Sequence, residues 1–259
     1  MSKGVLVDVT KCVGCGSCAV ACKLWNDLKY KDDEPTQGVD AKVTSNNWTT
    51  VNYYKVGKDD KKVWRFVKKQ CFHCLEPACA SVCFSKALSR SDEGPVVYNP
   101  ELCVGCRYCI LACPFGVPKY QWDRTLPYVT KCQMCSSRIA HGETPACTTV
   151  CPTRALTFGE RDELLQQAKE LINSDAKYVK HIYGETEAGG TSWLYISDVP
   201  FEELGMKTDV PRTALPQFTH EYLKWTPVVF LGGGALFTAL NIYTRRRLEN
   251  EESKRGTEE

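Results

Sequence analysis

Cysteine is the residue type in this sequence whose number and spacing indicate chemistry. The chain has 16 cysteines among 259 residues, and all of them lie between positions 12 and 151. They form four groups of four: Cys12, Cys15, Cys18 and Cys22; Cys71, Cys74, Cys79 and Cys83; Cys103, Cys106, Cys109 and Cys113; and Cys132, Cys135, Cys147 and Cys151. Thiolates this close together indicate metal binding, because they are the ligands of soft metals and of iron-sulfur clusters.

Groups one and three share one spacing, and groups two and four resemble each other. Groups one and three follow C-x2-C-x2-C-x3-C, the run with which bacterial ferredoxins bind iron-sulfur clusters. The proline typical of that run follows group three as Pro114, whereas group one has Lys23 there. EPACASVCFSKAL at 76–88 aligns with TPACTTVCPTRAL at 144–156. The order A, B, A′, B′ indicates that a unit with two cysteine groups has been duplicated.

The ferredoxin spacing predicts how the thiolates are shared. Three cysteines of a run surround one cluster, and the fourth ligates the neighbouring cluster. Sixteen thiolates then hold four 4Fe-4S clusters with no ligand left over. A disulfide scaffold is disfavoured because cysteines separated by two residues rarely meet disulfide geometry. Zinc ribbons are disfavoured because they do not extend C-x2-C with further cysteines in this way.

Spacing alone leaves the pairing of the groups open. Each A group has to exchange its last cysteine with a B group. Either group one pairs with two and three with four, or group two pairs with three and one with four.

The whole chain resembles the iron-sulfur (beta) subunits of membrane-bound respiratory oxidoreductases. The stretches that carry the resemblance are Trp25-Asn26-Asp27, CFHCLEPAC at 71–79, GCRYCILACPFGVPKY at 105–120, TKCQMCSSRIAHGETPACTTVCPTRALTFG at 130–159 and HIYGETEAGGT at 181–191. The first of these favours formate dehydrogenase, and the last favours the iron-sulfur subunit of periplasmic nickel-iron hydrogenase.

The resemblance implies that group one pairs with group four and group two with group three. It implies four ligand sets: Cys12, Cys15, Cys18 and Cys151; Cys22, Cys132, Cys135 and Cys147; Cys71, Cys74, Cys79 and Cys113; and Cys83, Cys103, Cys106 and Cys109. Related reductase subunits that lose one cysteine carry a 3Fe-4S cluster. This chain keeps all sixteen, so we expect four 4Fe-4S clusters.

The elements that position these cysteines predict an α+β fold of duplicated bacterial-ferredoxin-like domains. We expect the four-cluster domain at 1–159, with an inserted hairpin at 48–68, where aromatic and β-branched residues flank GKDDK. Residues 160–199 predict a helix and then a strand that pack on this domain. Residues 200–224, in which three prolines are spread, predict an extended arm.

Residues 225–243 predict one C-terminal transmembrane helix in the cell inner membrane. The segment is almost wholly apolar and is framed by Trp225 and Tyr243, as expected at membrane interfaces. The charged tail at 244–259 is basic next to the helix, so the positive-inside rule predicts a cytoplasmic C-terminus and a periplasmic cluster domain. The N-terminus MSKGVLVDVTKC has no export signal, so we expect export with a partner that carries a twin-arginine signal.

Charge and motifs exclude several function classes. The 33 basic and 31 acidic residues nearly cancel, which disfavours nucleic-acid binding. No nucleophile elbow, phosphate-binding loop or dinucleotide fingerprint predicts a catalytic site of its own. Clusters with cysteine at every iron lack an open position for substrate and are suited to passing electrons. His73, inside group two, is expected to be a packing or surface residue.

The sequence therefore predicts an electron-transfer subunit of an oxidoreductase complex. By the resemblance it links a molybdenum or tungsten formate dehydrogenase subunit to a quinone-linked membrane subunit of cytochrome b type. The alternatives are the same role beside a nickel-iron hydrogenase or another molybdopterin reductase, and, in another class, a free polyferredoxin carrier.

Overall fold

The computed structural model describes residues 2–58 and 61–255. It has two compact units, one that ends at Leu215 and one that begins at Pro216. The described strands are β1 (Lys3–Asp8), β2 (Gln37–Gly38), β3 (Thr50–Lys58), β4 (Lys61–Lys69), β5 (Leu88–Arg90), β6 (Val96–Tyr98), β7 (Lys119–Tyr120), β8 (Val129–Thr130), β9 (Leu156–Glu160) and β10 (Trp193–Ile196). The described α-helices are α1 (Ser17–Trp25), α2 (Ala78–Ser81), α3 (Tyr108–Ala112), α4 (Ser136–Ala140), α5 (Ala146–Thr149), α6 (Arg161–Ser174), α7 (Leu215–Leu223) and α8 (Thr226–Arg255).

Strand β1 is the centre of the main sheet, whose order is β10-β1-β9. It pairs in parallel with β10 and antiparallel with β9. Successive side chains of a strand point to opposite faces, yet Val5, Leu6 and Val7 are all buried. Val5 and Val7 pack against Trp193 on one face, and Leu6 packs against Leu164 of α6 on the other. The continuous apolar run of β1 is thus explained by burial on both faces.

A two-stranded sheet, β5–β6, repeats the β9–β1 ladder. Leu156 is paired with Val7 in one ladder, and Leu88 is paired with Tyr98 in the other. These are equivalent positions of the two halves of the duplication. We call the half with groups two and three the inner module, because residues 71–113 lie within the chain between the parts of the other half. The half with groups one and four is the outer module.

Strands β3 and β4 pair along their whole length, from Thr50 with Lys69 to Lys58 with Lys61. Of the predicted turn GKDDK, residues 59 and 60 lie outside the described residues. Val56 and Val67 are buried in the same core as β1. The hairpin is therefore attached to the outer module, and β4 leads directly into group two. That it is an insertion into a ferredoxin-like domain stays a prediction.

Helix α6 packs on the main sheet, as its apolar periodicity predicts. Leu164 and Ala168 are buried against Leu194 and Ile196 of β10. The predicted strand after the helix is β10 itself, which lies beside β1.

Residues 200–214 differ from the predicted extended arm. Phe201, Leu204 and Met206 are buried in the core of the main sheet, and Ala214 packs against Ala112. Helix α7 then occupies most of the remaining segment. Prolines interrupt helices and strands without preventing burial, and the apolar residues between these prolines are the ones that pack.

The second unit contains the long helix α8. Pro216–Asn250 includes the one helical segment, within residues 2–58 and 61–255, that is long and apolar enough to cross a membrane. Its most apolar window has a mean hydropathy of 1.4 and none of it is buried. The predicted transmembrane segment 225–243 lies within this helical region.

Candidate iron-sulfur sites

A short 3-10 turn precedes the first cysteine of the A group in each module. Asp8 caps one turn and Asn99 the other, and each side chain accepts a hydrogen bond of 3.0 Å from the backbone two residues later. The turns end at Cys12 and Cys103, which take extended backbone conformations. The same capping chemistry therefore positions the same ligand twice.

The chain then turns sharply through left-handed residues. Gly14 and Gly105 have φ of 71° and 72°, and Gly16 and Arg107 have φ of 73° and 62°. Three of these four positions are glycine because a side chain in this region has a steric cost. Burial raises the pKa of the Cys12 thiol. A hydrogen bond from the Gly14 backbone to the Cys12 sulfur lowers that pKa by a smaller amount.

The B groups repeat a second pair of left-handed positions, here without glycine. His73 and Met134 have φ of 50° and 53°, and Lys86 and Arg154 have φ of 55° and 51°. Each such residue costs about 1–2 kcal/mol. Both modules keep these unfavourable conformations at matching positions. We therefore infer that the left-handed residues give the loops the shape that brings the cysteines together.

Two cavities are each lined by four cysteines from two groups. One cavity is lined by Cys12, Cys15 and Cys18 of group one and Cys151 of group four. A second cavity is lined by four cysteines of groups two and three: Cys83, Cys103, Cys106 and Cys109. In each cavity the last cysteine of a B group joins the first three of an A group.

The remaining eight cysteines also lie near partners from the paired group. Burial raises the pKa of Cys22, Cys132 and Cys135, and the nearby Cys147 thiol raises it further in each case. In the inner module the corresponding neighbours are Cys71, Cys74, Cys79 and Cys113. The structure thus brings cysteines of group one near those of group four, and cysteines of group two near those of group three. The division of these eight cysteines into two ligand sets stays a prediction.

Burial shapes the acidity of these thiols. It raises the pKa of Cys18 and Cys79 to about 12 and that of Cys22 and Cys109 to about 11. A thiol has to lose its proton to bind iron, and a bound metal supplies the positive charge that the buried thiolate lacks. These sites therefore favour either neutral thiols or metal-bound thiolates over free thiolates.

His73 supplies an independent test of whether a cluster fits. Its Nδ1 accepts a 2.9 Å hydrogen bond from the Val96 backbone, so the ring proton lies on Nε2. That atom is buried and has no hydrogen-bond partner among the residues that the structure describes, which costs about 1–3 kcal/mol. A cluster beside Cys74 offers sulfur atoms that accept such a hydrogen bond. The expectation of a simple packing histidine is therefore incomplete, since His73 is fully buried with a free donor.

The cysteine sets also differ from single-ion sites. In the described ranges, no group of three or more His, Cys, Asp or Glu side chains is arranged to hold one metal ion. A cubane has four irons at separate corners, so its cysteines surround a cavity and do not converge on a point. The two four-cysteine cavities fit a 4Fe-4S cluster in donor type and in the number of thiols.

Solvent exposure separates two of the sixteen cysteines from the others. Cys15 and Cys106 are exposed, whereas the other fourteen cysteines are buried or half-buried. Cys15 lines the first cavity and Cys106 the second. Between them, Cys132 of the outer module packs in one apolar cluster with Cys71 of the inner module. The two cavities are therefore the sites open to solvent, and the two modules meet at their buried cysteines.

Family models match the chain in two places. A 4Fe-4S dicluster domain matches residues 11–87, and a second 4Fe-4S dicluster domain matches residues 62–161. Together they cover all four cysteine groups.

Three similar proteins match most of the chain. A protein of Nitratidesulfovibrio vulgaris strain Hildenborough is 43% identical over 95% of this chain and 68% of its own length. The formate dehydrogenase-O iron-sulfur subunit of Escherichia coli K12 is 32% identical over 90% of this chain and 80% of its own. Hydrogenase-2 operon protein HybA of Escherichia coli O157:H7 is 34% identical over 82% of this chain and 73% of its own.

The fold, the sites and the matches define a 4Fe-4S protein that transfers electrons. The chain belongs to the family of iron-sulfur subunits represented by those of formate dehydrogenases and by HybA, which confirms the resemblance seen in the sequence.

The two buried lysines near the cysteines, Lys68 and Lys131, are not predicted by the sequence. In the alternation of β4, Lys68 shares a face with Lys62, Trp64 and Phe66. Because this face includes a second lysine and the exposed Trp64, no local signal marks Lys68 for burial.

Proposed function

We propose that this chain is the electron-transfer subunit of a membrane-bound oxidoreductase complex. It links a catalytic subunit of molybdopterin formate dehydrogenase type to a quinone-linked membrane subunit, and it has no catalytic site of its own. Bound 4Fe-4S clusters supply one-electron transfer. The protein holds them, excludes water from them and sets the charge around them.

One observation carries the proposal: each of the two cavities is lined by three cysteines of one group and the last cysteine of another. That exchange is the ferredoxin arrangement for neighbouring clusters. It favours pairing group one with four and group two with three, which spacing left open.

The neighbourhoods support four ligand sets and a linear order. The proposed sets are Cys12, Cys15, Cys18 and Cys151; Cys22, Cys132, Cys135 and Cys147; Cys71, Cys74, Cys79 and Cys113; and Cys83, Cys103, Cys106 and Cys109. Named in this order, the first and last sets contain the exposed thiols Cys15 and Cys106. Electrons would enter at one of these ends and leave at the other.

We place the cluster domain, residues 1–159, on the periplasmic side of the inner membrane, with α8 as a single anchor. The anchor is supported by the length and apolarity of the helical segment Pro216–Asn250, and its orientation by the basic residues Arg245, Arg246 and Arg247 that follow it. Added protease should digest the cluster domain in intact spheroplasts, and protection there would contradict the orientation.

Metal analysis of the complex, purified from native membranes in mild detergent, tests the function. We expect about sixteen irons or more per copy of this chain, as four cubanes require, together with molybdenum or tungsten and reduction by formate. Zinc with almost no iron would contradict the proposal. A complex that remains intact and soluble when α8 is deleted would instead support a free polyferredoxin carrier.

A second candidate is the same role beside a nickel-iron hydrogenase. It is favoured by the similarity to HybA and by the stretch HIYGETEAGGT at 181–191. This stretch is built into the fold, since His181 contacts Glu187 at 2.7 Å and Thr191 is fully buried. Nickel in place of molybdenum, with hydrogen as the electron donor, would establish this candidate.

A further inference from the structure

Lys68 is a charged side chain in an interior position. It is the second-last residue of β4, and only 2% of it is exposed. It lines the cavity formed by Cys12, Cys15, Cys18 and Cys151. A lysine buried to this degree has to find a compensating negative charge, because an unpaired buried ammonium is strongly unfavourable.

The groups that contact the Lys68 ammonium are uncharged. Its Nζ donates to Gln70 Oε1 at 2.8 Å and to Thr49 Oγ1 at 3.4 Å. It also lies 4.3 Å from the centre of the Trp193 ring, a cation-π contact. Within the part of the chain that the structure describes, no carboxylate forms an ion pair with it. These contacts orient the ammonium but do not neutralise its charge.

The groups that can balance this charge are the surrounding thiolates. Burial lowers the pKa of Lys68, but Cys147, Cys18, Cys132 and Cys22 together outweigh it, so the pKa of this ammonium is raised. These four residues belong to both proposed sites of the outer module. Lys68 therefore stands between the two outer sites.

The other buried lysine has different surroundings. Lys131 donates to the Val96 and Cys132 carbonyl oxygens, to the latter at 3.0 Å. In the inner module its charge acts on Cys79. Lys131 is thus bound to backbone dipoles, whereas Lys68 faces the thiols of two sites.

We propose that Lys68 is the internal countercharge of the outer cluster pair and raises the reduction potentials of both of its clusters. This inference rests on the proposed function. Reduction adds one negative charge to a site that four thiolates already make negative, and a fixed cation nearby stabilises the reduced form. Lys68 is a positioning residue: its charge favours reduction of the two outer clusters over reduction of the two inner ones.

The test is a redox titration, followed by electron paramagnetic resonance, of the complete complex purified from membranes. Lys68→Met and Lys68→Gln remove the charge and keep most of the volume, and Lys68→Arg keeps the charge. Lys69→Met is the matched control, since Lys69 is the next residue on β4 and its ammonium is bonded to the Tyr54 hydroxyl and the Gly205 carbonyl.

We expect both neutral variants to lower the potentials of two of the four clusters. The ratio of reduced to oxidised cluster at a fixed potential should fall at least tenfold, which corresponds to about 59 mV for one electron. The other two clusters, and all four in Lys68→Arg and Lys69→Met, should keep their potentials.

Unchanged potentials in neutral variants that retain their iron would overturn the inference, and so would an equal shift of all four clusters. Iron lost from both neutral variants but kept in Lys68→Arg would make the charge a requirement for assembly and would also overturn it. Iron missing from the unsubstituted complex would instead overturn the proposed function itself.

Discussion

At the turn after the second cysteine of the A group, the outer module has Gly16 and the inner module has Arg107. Both adopt the left-handed conformation. The Arg107 guanidinium lies over the rings of Tyr120 and Trp122, at 5.8 and 5.2 Å from their centres. The cysteine loop therefore has the same backbone conformation at this position in both modules. The residue type can differ, and in the inner module its side chain contacts two aromatic rings.

A second comparison concerns the interior. Met134 of the outer module and His73 of the inner module occupy matching positions between two cysteines, and both are fully or almost fully buried. His73 has a donor to offer and Met134 has none. The outer module has the buried charge of Lys68 instead. Duplication has preserved the thiol geometry, and the electrostatics around each pair of sites have diverged.

The largest effects should come from the cysteines that define the two modules. Cys113→Ala combined with Cys71→Ala should remove about four of about sixteen irons and alter one cluster, because it deletes two ligands of one proposed cubane. Cys113→Ala combined with Cys103→Ala deletes one ligand from each of two proposed cubanes, so electron paramagnetic resonance should show two altered clusters. Two altered clusters in the first combination would favour pairing group three with group four.

A smaller difference is expected between two equivalent glycines. A Cβ on Gly14 would lie 2.6 Å from the Phe66 ring, whereas one on Gly105 would lie 3.0 Å from the Tyr120 hydroxyl. Both alanine variants bear a cost of about 1–2 kcal/mol for the left-handed backbone. Gly14→Ala adds about 1–3 kcal/mol of overpacking. Thermal scans of the two variants should show a lower Tm for Gly14→Ala, and equal values would contradict this account of the outer module.

His73→Met converts the inner module toward the outer one at a single position. It removes the Nε2 donor, and a hydrogen bond from this atom to the sulfur of a bound cluster would stabilise the reduced form. We expect one cluster to shift to lower potential, with the reduced-to-oxidised ratio falling less than tenfold. His141→Met is the control, because His141 is exposed and bonds to the Ser137 carbonyl. A redox titration that finds His73→Met unchanged would remove the assigned role of Nε2.

The smallest effect concerns the loop between α1 and β3, which belongs to the outer module alone. Burial raises the pKa of Glu34, but hydrogen bonds from Thr44, Lys31 and Asn46 outweigh it and hold that pKa below its usual value. Glu34 therefore contributes stability that is present above the unfolded pKa and is lost as pH falls through the folded one.

Glu34→Gln imitates the protonated form at neutral pH. We expect Glu34→Gln to lower the local stability of this loop by less than about 1 kcal/mol and therefore to speed hydrogen exchange there. The cluster potentials should stay unchanged. Protection that stays the same would show that Glu34 does not hold the loop.

The sequence predicted the features that depend on local chemistry. The cysteine spacing, the apolar stripe of α6 and the aromatic strands β3 and β4 each reflect a short-range rule, and the structure has the matching elements. The parallel pairing of β1 with β10 joins Val5 to Trp193, and no local pattern encodes a contact of that separation. The burial of Lys68 and of Phe201 depends on the same long-range packing.

The nesting of one module inside the other sets an order of events during synthesis. All eight cysteines of groups two and three have been synthesised once Cys113 is added, well before group four. Strand β1, made first, has to wait for β9 and β10 before its sheet is complete. The outer module closes the larger loop, and contacts between distant residues form slowly. During synthesis the inner module is therefore complete while the outer module still lacks group four, β9 and β10. The factors that deliver iron and sulfide then meet the two modules at different times.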